Sequence, residues 1–108
     1  MKYIVVFITA SEEEQAKKIA DELLSKRLIA CVHILPKASS LFWWQGRIDS
    51  AEEVLLILKT KEDLLDEVVK TTKKLHSYEV PEIIALPIIG GSEEYLEWIN
   101  ESLKDEVL

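Results

Sequence analysis

"SLFWWQGR", residues 40–47, decides how this chain folds. Gln45-Gly46 sits between two extended arms and predicts a tight reversal. The arms are then antiparallel neighbours with no helix between them. Phe42, Trp43 and Trp44 stand side by side just before the reversal. Successive side chains of a strand point to opposite faces, so this arm is apolar on both sides at once.

Working outward, each arm leads into a longer strand. Upstream, Leu28 to Leu35 reads as a strand that Pro36 stops, and Ser39 to Trp44 as its extended continuation toward the turn. Downstream, the chain from Arg47 to Lys59 ends in the strongly apolar "VLLIL". Its polar section, Asp49 to Glu53, marks where the two arms diverge or bulge.

Tyr3 to Ala10 is an apolar run rich in Val and Ile, which predicts a first strand. Ser11 followed three residues later by Glu14 reads as a capping box opening a helix. Ala16, Ile19, Ala20, Leu23 and Leu24 then recur at helical spacing. Thr60 with Asp63 reads as the cap of a second helix, whose stripe is Leu64, Leu65, Val68, Val69, Thr72 and Leu75. "HSYEVPE" (76–82) is a loop, because Pro81 disfavours helix before it. Glu82 to Ile89 is a fourth strand, with Pro87 pointing to an edge position or a bulge. Ser92 caps a last helix, with Glu93 and Glu94 in its first turn.

The chain of 108 residues suffices for one domain, taken as residues 1–108. The order β-α-β-β-α-β predicts an α+β, ferredoxin-like fold with an extra C-terminal helix. Such a sheet carries both crossing helices on one face. Yet "YIVVFI", "LIACVHIL", "VLLIL" and "EIIALPII" are apolar on both faces rather than alternating. One spare helix covers little, so a further copy of the chain is the simplest cover, and the aromatic arm is suited to reach it.

With 13 Lys and Arg against 20 Asp and Glu, the formal net charge is −7. That charge and the lack of a basic cluster argue against nucleic-acid binding. No apolar run is long enough to span a bilayer, and no signal-peptide pattern opens the sequence. The expectation is a cytoplasmic protein without membrane contact. Cys31 is the sole cysteine, which fits a reducing compartment.

Few residues can carry chemistry. Cys31 and His33 lie two apart on one strand face, where thiolate and imidazole suit a soft metal. The loop brings His76, Tyr78, Glu79 and Glu82 within seven positions, and imidazole with carboxylates suits divalent copper or zinc. No nucleophile elbow, glycine-rich phosphate loop or Ser-His-Asp pattern is present, so an enzyme is not expected.

"KRLIACVHILP", "SLFWWQGRID", "LILKT", "HSYEVPEIIALPI" and "YLEWI" together resemble the CutA family of divalent-cation tolerance proteins, in order and spacing, from Tyr3 to Leu103. The resemblance implies a stable ferredoxin-like homotrimer, related in form to PII signalling proteins, that binds divalent cations and chiefly Cu(II), with no metal needed for folding. It implies His76 as a copper ligand, with Glu79 and Glu82 in the same loop. Cys31, His33, Phe42, Trp43, Trp44 and Tyr78 then line or support the boundaries and cleft between subunits. An alternative is a PII-like signalling or scaffold trimer that binds a small ligand or a protein in that cleft, near Trp44, Lys37 and the loop. Three departures from the family pattern are Ser77 where proline is usual, His33 where asparagine is common, and a first strand without cysteine.

Overall fold

Alternation within the strands governs the architecture. In β1 (Tyr3–Ala10) every second residue, Ile4, Val6, Ile8 and Ala10, is buried, while its neighbours are half-buried. The same alternation in β3 (Arg47–Lys61) buries Val54, Leu56, Leu58 and Thr60. The computed structural model describes residues 2–105; the two ends of the 1–108 domain lie outside the described residues. The elements run β1, α1 (Glu13–Ser25), β2 (Cys31–Trp44), β3, α2 (Leu65–Leu75, after a 3-10 turn at Glu62–Leu64), β4 (Ile83–Pro87) and α3 (Glu93–Ser102). They form a mixed α+β fold with one four-stranded antiparallel sheet, in the order β2-β3-β1-β4.

Helices α1 and α2 pack on the face that carries Ile8, Leu56 and Leu58. Ala16, Ile19, Ala20 and Leu23 of α1 and Val68 of α2 complete that core. Leu24, expected in the α1 stripe, is 38% exposed. From the 3-10 turn into α2, Leu64, Val68 and Thr72 recur every four residues and are all buried. His76 stands at the next step of that series.

The opposite face behaves differently. Val5, Phe7, Leu55 and Ile57 are only half-buried, and Leu35, Ile84 and Leu86 are exposed. The helix α3 crosses one end of it: Tyr95 meets Cys31, and the buried Lys61 ammonium donates to Asn100 Oδ1 at 3.0 Å. The rest is a mainly apolar sheet surface that His33, Lys59 and Thr9 interrupt.

Four local readings are corrected. Pro36 does not stop β2; the strand runs on to Trp44 and absorbs Pro36 and Lys37 in a register shift between Leu35 and Ala38. The irregularity thus falls there and not over Asp49–Glu53, which stay paired with β2. Lys37 takes a positive φ of 63° at that bulge. Ser11 does not cap α1: Glu12 is the N-cap residue and no side chain caps the helix. Thr60 does not cap α2 either. It belongs to β3, where burial leaves its hydroxyl one use, donating to the Leu28 carbonyl at 2.7 Å. The Ser92 cap is present, its Oγ accepting from Tyr95 N. Pro87 ends the edge strand β4, where a missing N–H breaks no ladder.

Because β1 pairs with β3 only from Val54 to Lys61, the outer parts of β2 and β3 project as a two-stranded arm. Gln45 and Gly46 both have positive φ, 50° and 77°, the feature of a turn whose twist matches that of its strands. Trp43 is 74% exposed and Trp44 60%. An isolated hairpin of this kind is marginal in water, so this arm needs a surface to lie on.

Candidate functional site: the loop from His76 and the base of the arm

The series that buries α2 also delivers His76 to the protein interior at the helix end. Its backbone N–H still bonds the Thr72 carbonyl, and its ring is 9% exposed. Ring Nε2 lies 2.6 Å from the Thr9 carbonyl oxygen, at the end of β1. Ring Nδ1 accepts from the Tyr78 amide at 3.0 Å. A carbonyl can only accept and an amide N–H can only donate. The pair therefore sets the tautomer: the proton sits on Nε2 and the lone pair on Nδ1.

Tyr78 packs against this ring, with centroids 4.9 Å apart. Its hydroxyl donates to Glu53 Oε2 at 2.9 Å. Glu53 is 8% exposed and lies in β3 opposite Ala38, next to the bulge. Ser77 Oγ donates to Gln15 Oε1 of α1 and meets Ser11 Oγ. One short loop is thus tied to β1, α1 and the base of the arm.

Desolvation, then the bond to Glu53, then that carboxylate's charge hold the Tyr78 phenol above its usual pKa near 10. The Tyr95 phenol is raised as well, first by its bond to Cys31 Sγ at 3.4 Å, then by burial, then by the charge of that thiol when ionised. A raised folded-state pKa contributes stability that is complete below the unfolded value near 10 and is lost as pH rises through the folded value. Melting temperatures between pH 8 and 11.5 should therefore fall at the alkaline end. A Tyr78→Phe variant should fall less steeply, and equal slopes would mean that Tyr78 ionisation does not couple to folding.

Of the other expected ligands, Glu79 and Glu82 are exposed while His76 is buried. Among the described residues no three His, Cys, Asp or Glu side chains are gathered where they could hold a metal ion. With both ring nitrogens bonded, His76 offers no free lone pair to a cation in this loop conformation. Cys31 and His33 belong elsewhere. Cys31 pairs with Lys59 and His33 with Ile57 on the β2 side of β3, whereas Thr9 pairs with Leu55 on its β1 side. His33 is exposed and Cys31 half-buried under Tyr95.

Two open hollows flank the arm. One, of about 310 Å³, lies at its base among Ser11, Glu12, Glu13, Lys37, Glu52 and Glu53. The other, of about 370 Å³, lies at the tip among Trp44, Gln45, Arg47, Ile48 and Asp49. Within one chain Lys37 borders the first hollow and Trp44 the second. Glu53 and the Thr9 carbonyl are hydrogen-bond partners of the loop that the sequence alone did not reveal. A signal for Glu53 existed: a carboxylate directly before "VLLILK" sits at the start of a buried strand segment and needs a donor. Among the described residues no helix is long and apolar enough to cross a membrane.

The profile of a family described as "CutA1 divalent ion tolerance protein" matches residues 4–102. The rice protein named "Protein CutA 1, chloroplastic" is 45% identical over 102 residues, covering 94% of this chain and 58% of that protein. The chain therefore spans little more than half of that plant relative. "Divalent-cation tolerance protein CutA" of Archaeoglobus fulgidus is 44% identical over 99 residues, covering 92% of this chain and 96% of the relative. The crystal structure of CutA1 from Oryza sativa superposes with a TM-score of 0.95 at 43% identity, covering 98% of this chain and 97% of that one.

Proposed function

This chain belongs to the CutA1 divalent ion tolerance family, and on that premise we propose that it serves divalent-cation tolerance by binding the cations themselves, Cu(II) foremost, as a homotrimer. The observation that carries this reading is the family match over residues 4–102, which includes the whole of the loop from His76 and the aromatic arm.

Chemistry supports the cation. The loop holds one imidazole and, within six residues, the exposed carboxylates of Glu79 and Glu82. Imidazole nitrogen with carboxylate oxygen is a donor set that suits Cu(II). A net charge of −7 raises the local concentration of cations at low salt. In this reading His76 is the nitrogen ligand and Glu79 and Glu82 assist it. The chain acts as a binding protein and not as an enzyme.

Packing supports the homotrimer. The half-covered sheet face presents Phe7, Ile57, Ile84 and Leu86, and the arm presents Trp43 and Trp44. Contiguous apolar surface of this kind marks contact sites. Metal is not required for folding in this reading, because the core between sheet and helices closes on apolar side chains.

Native mass spectrometry across a Cu(II) titration tests both parts, on the wild type, His76→Ala and His33→Ala. The expected result is three chains carrying one copper each, with copper lost in His76→Ala and kept in His33→Ala. Equal uptake by His76→Ala overturns the ligand assignment. Scattered uptake that no variant changes favours a trimer whose ligand is organic and sits between subunits. The mass of one or two chains overturns the trimer.

A further inference from the structure

A buried charge normally has a countercharge, because taking an ion out of water costs more than one neutral hydrogen bond returns. Glu53 departs from that rule. It is more than nine-tenths buried. Among the described residues its carboxylate has one partner, the Tyr78 hydroxyl on Oε2, and no cation lies within ion-pair distance. Oε1 is left over. The hollow that Glu53 borders adds Glu12, Glu13 and Glu52 and only one ammonium, that of Lys37. Its walls therefore favour a further positive charge.

The arm carries such a charge at its far end. From Ala38 to Glu53 the sequence holds one cation, Arg47. Arg47 is exposed at the tip and makes no ion pair among the described residues. It cannot serve its own Glu53, since six residues of one strand, roughly 20 Å, separate the two. The arm of a second copy has no such constraint. Its exposed tryptophans need a surface to lie on. Alternation along β3 sets Glu53 in one row with Leu55 and Ile57, on the face that a further copy covers in the proposed trimer.

We propose that Arg47 of a neighbouring copy enters the hollow at the base of the arm and completes the Tyr78–Glu53 pair, its guanidinium donating to Glu53 Oε1. The proposal rests on the homotrimer reading. A guanidinium suits the place, because it is weakly hydrated and its planar fork matches a carboxylate. Each copy gives one arginine and receives one, a head-to-tail contact that closes as a ring in the trimer. Tyr78 then holds the carboxylate in place for the neighbour, and the loop from His76 forms one wall of an interface.

Light scattering over a dilution series tests this on the wild type, Arg47→Ala, Glu53→Gln and the double variant, with enough urea to bring the wild-type midpoint into range. Arg47 is exposed, and the side-chain oxygen of Glu53→Gln still accepts from Tyr78, so the variants keep their fold. Arg47→Ala leaves a buried carboxylate unpaired and should raise the concentration of half-dissociation at least about thirtyfold. In the Glu53→Gln background the same substitution should change it less than about threefold, because the two groups act as one pair. Wild-type dissociation in Arg47→Ala overturns the contact and leaves the trimer. An Arg47→Ala effect of equal size in both backgrounds does the same. A wild type with the mass of one or two chains in the absence of urea overturns the trimer, and the contact with it.

Discussion

Truncating Leu56 to alanine is expected to cost about 3–5 kcal/mol, the upper range for a fully buried leucine. Leu56 is 0% exposed, pairs with Ile8 on one side and Ile34 on the other, and belongs to the core that residues of α1 and α2 complete. The core it belongs to is filled by β-branched and leucine side chains such as Ile8, Ile19, Leu23 and Val68, which cannot collapse into the gap without leaving their rotamers. A loss of that size is a large part of the roughly 5–15 kcal/mol that holds a domain folded. Guanidinium unfolding at one fixed protein concentration measures it, since assembly makes stability concentration-dependent. A change below about 1 kcal/mol would mean that the helix-covered face is not the core.

The next residue should behave in the opposite way. Ile57 points to the sheet face that the helices leave bare, between Phe7 and His33 in the register. Within one chain it is only half-buried. An Ile57→Asp variant therefore keeps its fold, because the carboxylate can reach water. In the proposed trimer the same carboxylate would be buried against apolar neighbours without a partner, at a cost of several kcal/mol. Light scattering on the eluting protein should give the mass of a single chain for Ile57→Asp and of three chains for the wild type. A variant that keeps the wild-type mass shows that this face is not the interface. Adjacent positions of one strand thus separate folding from assembly, since alternation sends them to opposite faces.

Much of the element order was nonetheless legible beforehand. Strands and helices could be told apart because the strands are short continuous apolar runs such as "YIVVFI", whereas the second helix repeats near four in Leu64, Val68 and Thr72. The turn at Gln45-Gly46 was legible from two residues, because a two-residue reversal with positive φ favours glycine. Caps were less so. Ser11 and Thr60 have the chemistry of N-caps, but strand pairing draws Thr60 into β3, and Ser11 turns its hydroxyl to Ser77. Local capping is worth about 1 kcal/mol, and tertiary bonds of similar size outbid it. Pro36 misled for a related reason: a bulge tolerates a residue without an N–H, so the strand passes through it.

The candidate site divides along the same line. Residue types, their spacing and the resemblance marked the loop from His76 to Glu82 from sequence alone, for local order along the chain is all that such a motif requires. The burial of His76 was also within reach, as the fourth step in a series already called apolar. Its partners were not. Thr9 lies 67 positions away and Glu53 lies 25 from Tyr78. Only the pairing of β1 with β3 and the packing of α2 across them bring those groups to one place, and no periodicity encodes which carbonyl an imidazole will face. Sequence settled the elements, their order and the chemical types available, because those follow from local spacing and side-chain preference. Tertiary structure alone decided that the imidazole is spent on the backbone, because hydrogen-bond satisfaction in a buried site depends on which distant groups the fold leaves beside it.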